Sequence, residues 1–112
     1  MIVQVLNDVV TLITDKPVTT RGNTQWEILK VVEIFGNKKS VRAKEFYSAM
    51  ASRIKVTDII QIYKDDYEET IVRDNGKKYK PRLVKMGDDT YEIVRTYATD
   101  NQYMELTVVE VE

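Results

Sequence analysis

The apolar residues of this chain never run for more than two or three in succession before a polar or turn-forming residue interrupts them. A bilayer-spanning helix needs roughly 20 consecutive apolar residues, so the sequence encodes no transmembrane helix, and the start MIVQVLND lacks the basic stretch of an export signal. The runs are rich in Val, Ile, Thr and Tyr, whose branched or aromatic side chains suit a pleated surface. Turn residues separate them at the spacings of sandwiches and barrels. The pattern predicts an all-β fold: a small β-barrel of antiparallel strands and hairpins, with one short helix or long loop in the middle. A chain of 112 residues has room for one core, so residues 1–112 are read as a single barrel domain.

Along the chain, Val9 to Thr14 reads as a first strand closed by Asp15, Lys16 and Pro17, because Pro17 cannot donate to a ladder and disfavours helix at Lys16. A polar loop then runs to Gln25. Trp26 to Phe35, with β-branched Ile28, Val31, Val32 and Ile34, reads as a long bulged strand ended by a turn at Gly36 and Asn37. The period changes between Ser40 and Ile54, where Ala43, Phe46, Met50 and Ile54 fall at helical spacing, predicting a short helix with Ser40 as a weak N-cap. Val56 to Tyr63 returns to strand.

Asn75-Gly76 supplies the two positive φ angles of a type I′ turn and predicts a hairpin of Glu69–Arg73 with Lys77–Lys80. A turn at Gly87, Asp88 and Asp89 joins Leu83–Met86 to Tyr91–Tyr97, and Thr99–Gln102 leads into Tyr103–Val111. In that last strand Met104, Leu106 and Val108 alternate with polar residues, after which Val109 and Val111 change parity, as a bulge or a strand bent across a barrel corner requires.

The chain has no cysteine and no histidine, which removes thiolate nucleophiles, imidazole bases and the commonest zinc ligands. Its three serines, Ser40, Ser48 and Ser52, lie in no nucleophile elbow, and no glycine-rich phosphate loop is present. Ser48 and Lys44, four apart, are the one arithmetical nucleophile–base pair, and an exposed helical face accounts for them equally. Asp65, Asp66, Glu68 and Glu69 lack the spacing and glycine of a calcium loop and read as a solvated turn. The expectation is a non-enzymatic protein without catalytic residues, cofactor or metal.

Formal net charge is −1, unevenly placed: residues 1–64 sum to +4 and residues 65–112 to −5, a segregation that suits contact between copies and that a solvated fold intermixing the two halves would produce equally. The sharpest feature is residues 36–55, where Lys38, Lys39, Arg42, Lys44, Arg53 and Lys55 face Glu45 alone, with Phe46 and Tyr47 interleaved. Basic residues among aromatics are how nucleic-acid backbones are held. The competing reading is an ordinary helix with a charged outer face and Phe46 in the core.

The block KEFYSAMASRIKVTDIIQIY, followed by TYEIVRTY and YMELTVVEV, resembles the head–tail adaptor, or head-closure, family of tailed bacteriophages. The resemblance runs from about Val9 to the C-terminus, and its most specific pieces are Glu45, Phe46, Tyr47 and Ala49, then Arg95, Thr96 and Tyr97, then Glu105 and Leu106. It implies a virion protein of the head–tail connector, present in the host cytoplasm during assembly, that forms a ring beneath the portal, closes the head after packaging and joins it to the tail. The implied partners are copies of itself, portal or adaptor proteins, a tail or tail-completion protein, and packaged double-stranded DNA; no membrane is involved. It also implies a loop over roughly Ser40–Thr57 that gates the channel. Lys38, Lys39, Arg42 and Lys44 would then face DNA or neighbouring copies, with Glu45, Phe46, Tyr47 and Met50 packing or docking the loop. The helical stripe through Ile54 departs from what a gating loop requires. The alternative function is a single-stranded nucleic-acid-binding module of OB type, whose five-stranded barrel with one helix shares the pattern.

Overall fold

The computed structural model describes residues 6–39 and 58–111. Eight strands and one short helix follow in the order β1 (Asp8–Thr20), β2 (Asn23–Lys39), β3 (Asp58–Tyr63), α1 (Lys64–Glu69), β4 (Val72–Asp74), β5 (Lys77–Tyr79), β6 (Pro81–Met86), β7 (Asp89–Ala98) and β8 (Tyr103–Glu110). Six of them close a barrel in the order β1-β2-β3-β8-β7-β6, every pair antiparallel, while β4 and β5 form a separate two-stranded ribbon. The fold is all-β, as the short punctuated apolar runs predict.

Inward alternation builds the core. Val10 and Leu12 of β1, Ile34 of β2, Ile60 and Ile62 of β3, Val84 of β6, Tyr91 of β7, and Met104, Leu106 and Val108 of β8 are buried together. Tyr67 of α1 joins this cluster. The helix is short, with Asp65 and Asp66 in its first turn, where carboxylates favour the positive end of the backbone dipoles. Its end is tied to β1, because Thr14 Oγ1 donates to the Thr70 carbonyl at 2.7 Å inside the core. The solvated turn expected at Asp65–Glu69 is therefore a helix, held by burial of Tyr67, a tertiary contact with no local sign.

Three further expectations are corrected. The first strand does not stop at Asp15: β1 continues to Thr20 and pairs through Pro17↔Trp26 and Thr20↔Asn23, so the expected polar loop is a ribbon. Pro17 is tolerated because β1 pairs with β6 only over Thr11 to Thr14, and beyond it no strand among the described residues pairs with that side of β1. Nor does the second strand end at Gly36. That glycine lies inside β2, opposite both Asp8 and Ile62, and a Cβ there would sit 2.8 Å from the Gln61 carbonyl oxygen and 2.8 Å from Val10 Cγ2. It is a close-approach glycine at a strand crossing, not a turn. Of the bulge or bend expected in the last strand, the irregularity lies on its partner, where register shifts between Ile93 and Arg95 of β7.

The long bulged strand after Gln25 is present, with the β1–β2 register shifting between Thr14 and Asp15. Asn75 and Gly76 adopt φ of 51° and 79° and close the expected hairpin, on strands shorter than expected. The expected helix over Ser40–Ile54 lies outside the described residues.

Candidate functional site

The strands that carry the sequence-selected lysines meet at one rim of the barrel. β2 ends there and β3 begins there, with Lys38 opposite Ile60 and Lys39 opposite Ile59. Lys38 Nζ donates to the Tyr91 hydroxyl at 3.2 Å, lies 5.6 Å from the centre of that ring and 4.0 Å from an Asp58 carboxylate oxygen. The hydrogen bond to Tyr91 raises the Lys38 pKa above its ordinary value, burial opposes it, and Asp58 adds to it. Lys39 Nζ contacts Glu105 at 3.1 Å. Both cations are thus engaged inside the protein, and each offers an anion a partly neutralised charge. Arg42, Lys44, Glu45, Phe46, Tyr47 and Met50, with the Ser48–Lys44 pair, lie outside the described residues.

Lys39 and Ile59 are direct register partners, yet 18 residues of chain separate β2 from β3. Neighbouring antiparallel strands need only about two to five residues to connect. The chain therefore leaves and re-enters the barrel at one point on the rim with far more sequence than a turn requires.

A second surface was missed by the sequence reading. The β1–β2 ribbon runs past the barrel wall, since β6 covers β1 only to Thr14 and β3 covers β2 only from Gly36. Among the described residues no strand pairs with the other side of β2 between Thr24 and Phe35, leaving an open backbone edge. Cross-strand partners share a face, and the outward face collects Val9 with Phe35 and Ile13 with Val31, then Ile28 and Trp26. Val9, Ile28, Val31 and Phe35 are each more than half exposed. The signal was present in the doublets Val31-Val32 and Ile34-Phe35: alternation sends one member of each inward, so the other must emerge into solvent.

At the base of that ribbon Asp15 is buried and gripped by Arg82, with Nε to Oδ1 at 2.8 Å and Nη2 to Oδ2 at 2.7 Å. The same guanidinium lies 3.7 Å from the centre of the Trp26 ring. Its hydrogen bond to Asp15 raises the Arg82 pKa, with burial opposing. Lys16, one residue on, contacts Asp74 at 2.6 Å and fastens the β4–β5 hairpin to the ribbon.

Among the described residues no three metal-ligating side chains come together, and no helix is long and apolar enough to cross a membrane. No protein-family model matches the chain, and no curated protein matches it.

Proposed function

We propose that this chain is a structural protein of the head–tail connector of a tailed bacteriophage, seated in the virion, where copies form a ring that closes the head after packaging and joins it to the tail. The observation that carries the reading is the β1–β2 ribbon, with exposed apolar residues on its outer face and a β2 edge that no strand pairs with among the described residues. Exposed apolar residues gathered on one face, here Val9 with Phe35 and Val31 with Ile28 on either side of the polar pair Thr11 and Glu33, are costly for a solitary domain and mark a docking face. A long open edge is a template for pairing that isolated proteins suppress. An assembled connector component uses both, against portal or adaptor proteins on one side and a tail protein on the other.

In this reading the work is steric and electrostatic, and it asks for no catalytic group, cofactor or metal. The segment between Lys39 and Asp58 is the channel loop, bringing Arg42 and Lys44 towards packaged double-stranded DNA and using Glu45, Phe46, Tyr47 and Met50 to dock. The intramolecular pairs of Lys38 and Lys39 give these two residues a lesser part in DNA contact and a larger one in anchoring the loop's base. The OB-type alternative is less well supported, since that fold closes five strands and this barrel closes six.

Light scattering tests the reading, on the protein alone, with its matched portal complex, and with a single strand of about twenty nucleotides, at low and moderate salt. A monomer that becomes a ring only on the portal complex is expected. Tight, salt-steep binding to free single strands without portal association would overturn it in favour of the OB-type module.

A further inference from the structure

The β4–β5 hairpin has two unlike faces. Val72, Asp74 and Tyr79 are half-buried, and Asp74 is held by Lys16 of β1. On the opposite face Arg73 and Lys78 are exposed and lie directly across from each other in register, with exposed Lys80 two residues further along the chain. Like charges placed directly opposite are destabilising in a strand pair. No ion pair among the described residues relieves them, although the four carboxylates of α1 end only three residues before β4. The ribbon is stiff where the charges sit, because the tight turn at Asn75 and Gly76 fixes its register.

We propose that this outer face is a binding ribbon for the phosphate backbone of duplex DNA. A phosphate between Arg73 and Lys78 converts their repulsion into two attractions, with Lys80 free for a neighbouring phosphate. The chemistry favours nucleic acid over a protein partner. Nothing apolar lies between the cations, and lysine is depleted from protein interfaces, whereas phosphate binding draws its free energy from counterion release and needs only charge. A two-stranded ribbon also has the cross-section that the major groove of B-form DNA admits.

This surface goes beyond the connector reading. Lys16, to which the hairpin is fastened, lies eight residues along β1, roughly 26 Å, from the level of Gly36, and the rim that carries Lys38 lies beyond that level.

The test uses the full chain, a fluorescein-labelled 20-base-pair duplex and anisotropy between about 50 and 200 mM salt, comparing the parent with the triple variant Arg73→Gln/Lys78→Gln/Lys80→Gln. At about 0.9 per phosphate contact, the parent's log–log salt slope should exceed the variant's by between two and three, so that raising salt weakens the parent about 40-fold more. Circular dichroism and melting should show the variant folded, with a melting temperature equal to or above the parent's. An unchanged slope and affinity in the folded variant would overturn the proposal, as would a parent that fails to bind duplex at low salt. Hairpin-dependent binding of polyglutamate in preference to duplex would overturn it in favour of an acidic protein partner. Portal association is read separately, so failure here leaves the connector reading standing.

Discussion

Arg82 closes both arms of its guanidinium on the carboxylate of Asp15, whose side chain is 1% exposed, while its flat face covers the ring of Trp26. The contact fixes three strands at once, since Asp15 belongs to β1, Trp26 to β2 and Arg82 to β6. It sits where the ribbon leaves the barrel wall and sets the direction in which the ribbon projects.

Removing Arg82 should leave Asp15 as a buried charge without its partner, a loss of about 3–5 kcal/mol. Trp26 is the only tryptophan, so its fluorescence should shift to the red in Arg82→Ala as the ring loses its cover. Arg82→Lys should fall between the two, because an ammonium cannot make the paired contact. Denaturant titrations followed at Trp26 check both variants, and an Arg82→Ala protein as stable as the parent would show that the pair does not hold the ribbon.

Gly36→Ala should be destabilising by about 1–3 kcal/mol, because the new methyl meets the Gln61 carbonyl and a Val10 methyl at 2.8 Å and neither has room to retreat from a core strand. Gly87→Ala is the informative comparison. Space around that turn is open, and only its φ of 60° resists a side chain, so the penalty should be smaller. Melting curves of the two variants should rank in that order.

Thr14→Val keeps the shape of a core side chain and deletes its hydroxyl, leaving the Thr70 carbonyl without its donor in a buried setting. The expected cost is about 1–3 kcal/mol, with Thr14→Ser restoring most of it. Because this bond ties the end of α1 to β1, amide exchange at Thr70 and Ile71 should speed up in the valine variant more than exchange in β3.

Asp100 accepts backbone hydrogen bonds from Gln102 at 2.7 Å and Tyr103 at 2.9 Å, and these bonds lower its pKa below the ordinary 3.8. A carboxyl whose folded pKa is depressed contributes stability above its unfolded value and loses it as pH falls through the folded one. The parent should therefore melt higher than Asp100→Ala at neutral pH, with the gap closing as pH drops below about 4. A gap unchanged down to pH 2 would show that the ionised carboxylate is not what orders the β7–β8 turn.

The all-β class and the hairpin at Asn75-Gly76 were legible because they rest on local rules, a period of two and a turn with two positive φ angles. Pro17 misled for an instructive reason. It excludes a ladder bond on one side only, and whether that side is occupied depends on where β6 ends, some sixty residues later in the chain. Gly36 reads as a turn residue in isolation and becomes a crossing point once Val10 and Ile62 close in on it. Of the candidate site, Lys38 and Lys39 were found but their partners Tyr91, Asp58 and Glu105 were not, since no sequence spacing announces pairs formed across a closed barrel. The exposed ribbon was written in apolar doublets and overlooked because either member of a doublet looks like core.

The order in which the ladders are tied also bears on how the protein comes into being. β1 and β2 meet across a turn at Arg21 and Gly22 and zip through neighbours in sequence, whereas closure requires Leu12 to find Val84 and Ile60 to find Leu106. Loop-closure entropy is lost before those distant contacts give anything back, which makes ring closure the slow event of folding. On an emerging polypeptide the ribbon is complete long before β6 to β8 exist. Its apolar stripe and bare edge are then available to whatever meets the nascent chain, and premature pairing of such ribbons is the hazard that accompanies a wall completed last.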